Sequence, residues 1–475
     1  MGLSKVKYQL ESSVSHDMKE AVQDTGETRM AKLLVPYLFK WQDVEARSDL
    51  ERLSLVLEHL PDEALMKKLE AHRNRGRDDY PIRPVWNSVL AGIVYQHESV
   101  ESLRRELLRN GELREGCGFD PCKGSAAVPP SSVYTRFLKL LITFKSEIDA
   151  MFDTLVDTLK ALLPDLGLSV AVDSKAVNSA GRPTKETEGD GRRDTDADWG
   201  KKTYHGQRED GTLWEKVAKW FGYKIHLMVD TTYEMPIGYR VTRASESDTK
   251  QLLPMVKEVK QKHPQIYEDM ERLSADKAYD SAENCRDLYN EHGIKPVIDI
   301  RRMWRDKETK SLDAEHVDNI VYDEVGKVYC LCPETLEQRL MAYGGFEKDR
   351  MALKYVCPMK AYGLRCQGSD QCKHAMKSER VRLEIDRRIF TPIARSSYAW
   401  ERDYKGRTAV ERVNSRFDVS FGFERHFIRG QKKMEIRVGL ALSVMLAMAV
   451  GRIKEHQKEL MRSLVKSPVP LSQAA

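Results

Sequence analysis

Apolar residues recur three and four positions apart in 50–60 (LERLSLVLEHL) and again across 84–107, which predicts helices with one buried face. Pro121, Pro129 and Pro130 mark a loop, and Ser131 and Ser132 then offer N-caps for a helix running to Leu141. A further amphipathic helix fits 146–163 and is closed by Pro164. No group of catalytic residue types falls in this stretch. It reads as a helical domain from 30 to 164, preceded by a tail over 1–29.

The pattern then changes. Residues 166–172 (LGLSVAV) form a short apolar run with β-branched side chains, predicting a buried strand that ends on Asp173. The polar stretch 178–211 is expected to be a mobile or partly ordered insertion. Strands follow at 222–229 and 237–243, a helix at 248–260, a strand at 272–275 ending on Asp276, a helix at 281–292 and a strand at 296–300. This alternation predicts a mixed α/β core over 165–300. Residues 301–395 break it, carry five of the eight cysteines and read as an insertion. A helix over 404–417, with Val410, Val413 and Phe417 on one face, and an apolar helix over 434–453 form a second part of the core at 396–455, before a tail at 456–475.

Composition narrows the class. A length of 475 residues suits two to four domains, and 41% hydrophobic with 32% charged residues argues against both disorder and a membrane protein. The longest apolar stretch, 438–450, is 13 residues, short of the ~20 that a membrane span needs. The start MGLSKVKYQL lacks the apolar centre of a signal peptide, so a cytoplasmic location is expected and the cysteines read as thiols or metal ligands.

Three carboxylates stand out. Asp173 (in VAVDSKAV) and Asp276 (in LSADKAYDS) each close an apolar strand, where α/β proteins place their sites, and Glu411 lies in a helix with a basic face. Converging carboxylates suit hard divalent cations, and two such ions ~3.5–4 Å apart can serve phosphoryl transfer. The bland reading is that strand-end aspartates form turns.

These segments resemble the signature of DDE transposases of bacterial insertion sequences, in the IS-four-like superfamily. Asp173 matches the first aspartate, SADKAYDS the block around the second, and YKGRTAVERVNSRF the Y-x2-R-x3-E signature, with Tyr404, Arg407 and Glu411 in register. The run 222–256 and the segment PPSSVYTRFLKLL (129–141) are also similar to that family. One position departs: seven places after the Glu, where the pattern has a basic residue, stands Asp418, with Arg416 as a substitute two places earlier. The resemblance implies a ribonuclease-H-like mixed-sheet core with a helical N-terminal domain, and a Cys-rich insertion ahead of the third carboxylate. It implies two Mg²⁺ ions (Mn²⁺ as an alternative) held by Asp173, Asp276 and Glu411. It also implies cleavage and strand transfer on double-stranded DNA, at inverted-repeat ends and target, by a homodimer at the bacterial nucleoid. Tyr404 and Arg407 would meet a DNA phosphate. The alternatives are a nuclease that cuts without joining, a non-catalytic DNA-binding derivative and, more distantly, a glycoside hydrolase.

The charge pattern supports a nucleic-acid partner only locally. The whole chain is +5, and 402–433 alone holds nine basic against four acidic residues. Arg412, Arg416, Lys432 and Lys433 are therefore candidate DNA contacts, and 301–310 forms a second basic cluster. Trp199, Trp214 and Trp220 could stack on a base or simply pack. Asp194, Asp196 and Asp198 fail the calcium-loop pattern, with Trp199 at its sixth and His205 at its twelfth position, and read as a solvated loop. Cys330, Cys332, Cys357, Cys366 and Cys372, with gaps of 1, 24, 8 and 5 residues, read either as zinc ligands or as reduced buried thiols. Cys117 and Cys122 alone cannot complete a site.

Overall fold

Ser99 accepts a hydrogen bond from the Ser102 amide at 3.2 Å and so starts a new helix inside what the periodicity alone reads as one run over 84–107. The front block accordingly forms α1 (Asp49–His59), α2 (Glu63–Arg73), α3 (Ile82–Val94), α4 (Val100–Arg109), α5 (Gly111–Gly116), α6 (Ser131–Thr143) and α7 (Lys145–Leu162). Helix α6 begins at Ser131 with Pro130 in the cap position, so Ser131 and Ser132 lie inside the helix rather than capping it. The computed structural model describes residues 49–74, 79–181, 193–208, 212–304, 309–312 and 319–463. The tail over 1–29 and most of the C-terminal tail lie outside them.

The α/β part comprises β1 (Ser169–Asn178), β2 (Asp198–Gln207), β3 (Leu213–Asp230), β4 (Pro236–Arg243), α8 (Leu252–Lys262), α9 (Pro264–Asp269), β5 (Arg272–Ala275), α10 (Ala282–Asn290) and β6 (Lys295–Ile298). Strand β1 pairs antiparallel with β3 and parallel with β5, β5 pairs parallel with β6, and β4 joins β3 antiparallel. An antiparallel meander followed by two parallel strands, in the order β4-β3-β1-β5-β6, is the ribonuclease-H-like arrangement expected from the sequence.

Two differences from the sequence reading concern the polar stretch. Strand β1 does not stop at Asp173 but continues to Asn178, and β3 starts at Leu213 rather than near Gly222. The first half of β3 pairs with β2 in a two-stranded ribbon in which apolar and polar residues mix on both faces, so no period-two apolar signal marks it. Tryptophans stabilise the ribbon by lying across from glycines: a Cβ on Gly200 would meet the Trp220 ring at 2.3 Å, and one on Gly206 the Trp214 ring at 2.4 Å. The aspartates before the ribbon are not a solvated loop. Asp194 is buried and accepts from the Tyr223 hydroxyl at 2.8 Å and the Gly430 amide at 3.0 Å, and Asp196 accepts from the Gln431 amide at 3.0 Å.

Beyond β6 come β7 (Lys310–Ser311), β8 (Ile320–Tyr322), β9 (Val328–Leu331), β10 (Gln338–Leu340), β11 (Ala342–Glu347), β12 (Ala352–Val356), α11 (Pro358–Tyr362) and β13 (Ser378–Arg382). They make two small sheets, β10-β9-β8-β7 and β11-β12-β13. These sheets share a core of their own, built on Tyr322, Leu353, Tyr355 and Phe390, separate from the main core. Arg395 anchors the returning chain, donating to the carbonyls of Ile298 (3.1 Å), Arg388 (2.6 Å) and Ile389 (2.7 Å).

The chain re-enters the main body through α12 (Tyr398–Lys405), α13 (Thr408–Phe421) and α14 (Gln431–Lys454). Helix α14 is apolar all round and long enough to cross a membrane, yet 89% of its apolar window is buried inside the protein. It packs against α1, α3, α6, α7 and β4, so the helical block and the sheet share one core. Leu446 is fully buried there. Leu446→Ala should lower unfolding free energy by about 2–5 kcal/mol, read from chemical denaturation.

Candidate active site

The parallel register of β1 with β5 pairs Val172 with Ala275, which makes the next residues, Asp173 and Asp276, neighbours on adjacent strands. Each carboxylate has one oxygen held by a backbone amide. Asp173 Oδ1 accepts from the Ser174 amide at 2.8 Å, and Asp276 Oδ1 accepts from the Ala278 amide at 2.8 Å. Burial first, and the adjacent Asp276 charge second, push the Asp173 carboxyl up to about 6.

The same register continues one strand further. Ala275 pairs with Ile298, so Asp299 stands beside Asp276. The sequence reading passed over Asp299, although PVID ends an apolar strand in the same way as VAVD and LSAD. Burial first, and the charge of nearby Asp299 second, push the Tyr404 hydroxyl up to about 12.

Glu411 arrives from α13. The helix expected over 404–417 is broken: Tyr404 lies in the last turn of α12, Gly406 and Arg407 make the bend, and Glu411 occupies the first turn of α13. A Cβ on Gly406 would lie 3.1 Å from the Asp403 carbonyl, so the bend suits glycine. Asp403 ties this junction to β5, taking Arg272 Nη1 at 3.1 Å. Arg407 links the carboxylates, with Nη2 2.6 Å from Glu411 Oε1 and Nη1 3.6 Å from Asp173 Oδ2. Its guanidinium lies 5.6 Å from the centre of the Tyr404 ring, which stacks on Trp400 at 4.7 Å. The Arg407 Nε is buried without a hydrogen-bond partner.

The donor set is all oxygen and suits a hard divalent cation. Asp173 and Asp276 stand as neighbours on adjacent strands, and burial, with the Asp276 charge adding to it, raises the first. Glu411 is engaged by Arg407, and among the described residues no three His, Cys, Asp or Glu side chains converge at metal distance. Asp173, Asp276, Glu411, Tyr404 and Arg407 are thus brought to one edge, with the arginine between two of the carboxylates.

The other predicted contacts are distributed differently. Arg412 and Arg416 both pair with Glu234, buried in the β3–β4 turn: Arg412 Nε stands 2.6 Å from Oε1, and Arg416 contacts Oε2. Lys432 and Lys433 are exposed at the start of α14. Asp418 receives Lys175 Nζ at 2.5 Å, so the cation near this position comes from β1, two residues beyond Asp173. Trp199 is 52% exposed on the ribbon, while Trp220 donates to the Tyr223 carbonyl at 3.2 Å. In the basic cluster of 301–310, residues 305–308 lie outside the described residues.

A family profile described as "Transposase DDE domain" matches residues 168–447. No curated protein matches the chain. Among solved structures, a cryo-EM structure of a piggyBac transposase synaptic complex with hairpin DNA aligns over 89% of this chain and 86% of that chain, at 11% sequence identity and a TM-score of 0.31. With the family profile spanning more than half of its length, from the strand that bears Asp173 to the buried helix after Glu411, the chain belongs to the DDE transposase family.

Proposed function

We propose that this transposase cuts phosphodiester bonds at the inverted-repeat ends of a bacterial insertion sequence and joins the freed 3′-hydroxyl to target DNA, with Asp173, Asp276 and Glu411 as the catalytic carboxylates. The observation that carries this reading is the placement of Asp173 beside Asp276 on parallel strands, with Arg407 reaching from one of them to Glu411.

Asp173 and Asp276, joined by Glu411, would hold Mg²⁺ as two ions, with Mn²⁺ as an alternative. When bound, these ions supply Lewis acidity and neutralise charge at the scissile phosphate. The amides of Ser174 and Ala278 fix one oxygen of each aspartate and leave the other to face the substrate. Arg407 offers a planar fork of donors to an incoming phosphate, and in turning toward it releases the Glu411 carboxylate. Tyr404 and Trp400 form the wall against which that guanidinium rests. Lys432 and Lys433 would track the DNA backbone, and Arg412 and Arg416 would do so from the α13 face that Glu234 holds in place. The protein would act as a homodimer on two ends at the nucleoid, with the helical block reading the end sequence.

Strand transfer separates this reading from that of a nuclease that only cuts. A pre-cut end with a free 3′-hydroxyl, supplied with target DNA and Mg²⁺, should give joined product. Hydrolysis of the target without joining would favour the nuclease.

A further inference from the structure

The insertion gathers thiols in one place. Cys330 lies in β9, and Cys332 follows directly after the strand ends at Leu331. Cys357 precedes α11, and Cys366 and Cys372 flank the short turn Gln367–Gln371. All five line one cavity, with His374 at its edge. His374 Nδ1 is directed at Glu379, 3.0 Å away.

Two details show a pocket shaped around sulfur. The backbone at Gly368 closes around the Cys332 sulfur, and the Asn319 side-chain amide donates to the Cys372 sulfur at 3.2 Å. Gly368 is needed for this approach, since a Cβ there would stand 3.0 Å from Cys332 Sγ. Cys330 Sγ lies 3.7 Å from the Arg339 carbonyl.

We propose that this cavity is a structural zinc site, in which four of the five thiolates Cys330, Cys332, Cys357, Cys366 and Cys372 hold one Zn²⁺ tetrahedrally. Among the described residues the sulfurs do not converge at ligand distance as they stand. A single torsion separates each sulfur from its backbone, so rotamer changes redirect them without rebuilding the chain. Zinc prefers such soft donors, and a closed four-ligand site contributes folding energy outright. The insertion needs that contribution: it consists of two small sheets over a core of its own, far smaller than the main core. The proposal is independent of the phosphodiester chemistry.

The test uses the full chain purified without a metal-affinity step. Elemental analysis should find one zinc per chain, and Co²⁺ exchanged into the site should give thiolate-to-cobalt charge-transfer bands with the intense visible bands of a tetrahedral centre. Of the five single Cys→Ser variants, four should lose zinc and one should retain it. Cys366→Ser and Cys372→Ser alter half-buried positions, so a main body that still unfolds cooperatively shows that zinc loss is not global unfolding. Cys122→Ser, at an exposed thiol outside the cluster, should keep its full zinc. Absence of zinc from the wild type, or cluster thiols that react with a thiol reagent equally fast with and without chelator, would overturn the proposal.

Discussion

Asp173→Asn should abolish DNA cleavage and, in the absence of divalent metal, make the protein more stable. The Asp173 carboxyl titrates near 6 in the folded protein, against 3.8 ordinarily, because it is buried and faces Asp276. Between those two values the unfolded chain has released the proton and the folded chain retains it, so stability falls as pH rises through that window. At neutral pH the cost is about 2–3 kcal/mol, which the neutral asparagine removes. Metal should act in the opposite sense on the wild type. A cation at 100 times its dissociation constant adds about 2.7 kcal/mol, and this gain should vanish in Asp173→Asn. Thermal melts of both proteins, with and without Mg²⁺, at pH values on either side of 6 check all three parts. A variant that melts lower than the wild type in chelator would contradict this account of the pair.

Glu234→Ala should damage the site from a distance. Glu234 is buried at 4% exposure in the left-handed region (φ 57°), and it contacts Arg412, Arg416 and Arg462. Burial alone would raise its carboxyl, but Arg416 and Arg412 outweigh that and hold it below its ordinary value. Its stabilisation is therefore present at neutral pH and is lost as pH falls into the carboxylate range. Removing it leaves Arg416 largely buried without its partner, while the half-exposed Arg412 and Arg462 can turn to water. The expected cost is about 2–3 kcal/mol. Because Arg412 and Arg416 dock α13, which bears Glu411, on the β3–β4 turn, cleavage should also slow by about tenfold to a hundredfold. Denaturation and single-turnover cleavage report the two effects separately.

The Asp173–Asp276 pair was legible because burial on both faces makes a central strand apolar throughout, so an aspartate ending it breaks the pattern. Asp299 carries the same signal and was missed, since PVIDI is short and the insertion begins at once. The β2–β3 ribbon was not legible: it stands out from the core, and its stability comes from backbone pairing and Trp-over-Gly contacts that no apolar periodicity marks. Arg412 and Arg416 read as exposed cations because their partner, Glu234, lies about 180 residues away and is itself unremarkable in the sequence. Asp194 and Asp196 looked solvated for the same reason, their donors being Tyr223, Gly430 and Gln431. The break at Gly406 falls inside an unbroken helical pattern, and only the docking of Asp403 on β5 explains it.

The account rests on three carboxylates acting together, and a nicking assay tests it most directly. Wild type and Asp276→Ala would be offered duplex DNA bearing a transposon end with Mg²⁺, and separately with Mn²⁺, after equal end binding is established by mobility shift. Nicks at the end from the wild type and none from Asp276→Ala under either metal are the predicted result. Nicking by Asp276→Ala at a rate near that of the wild type would contradict the assignment.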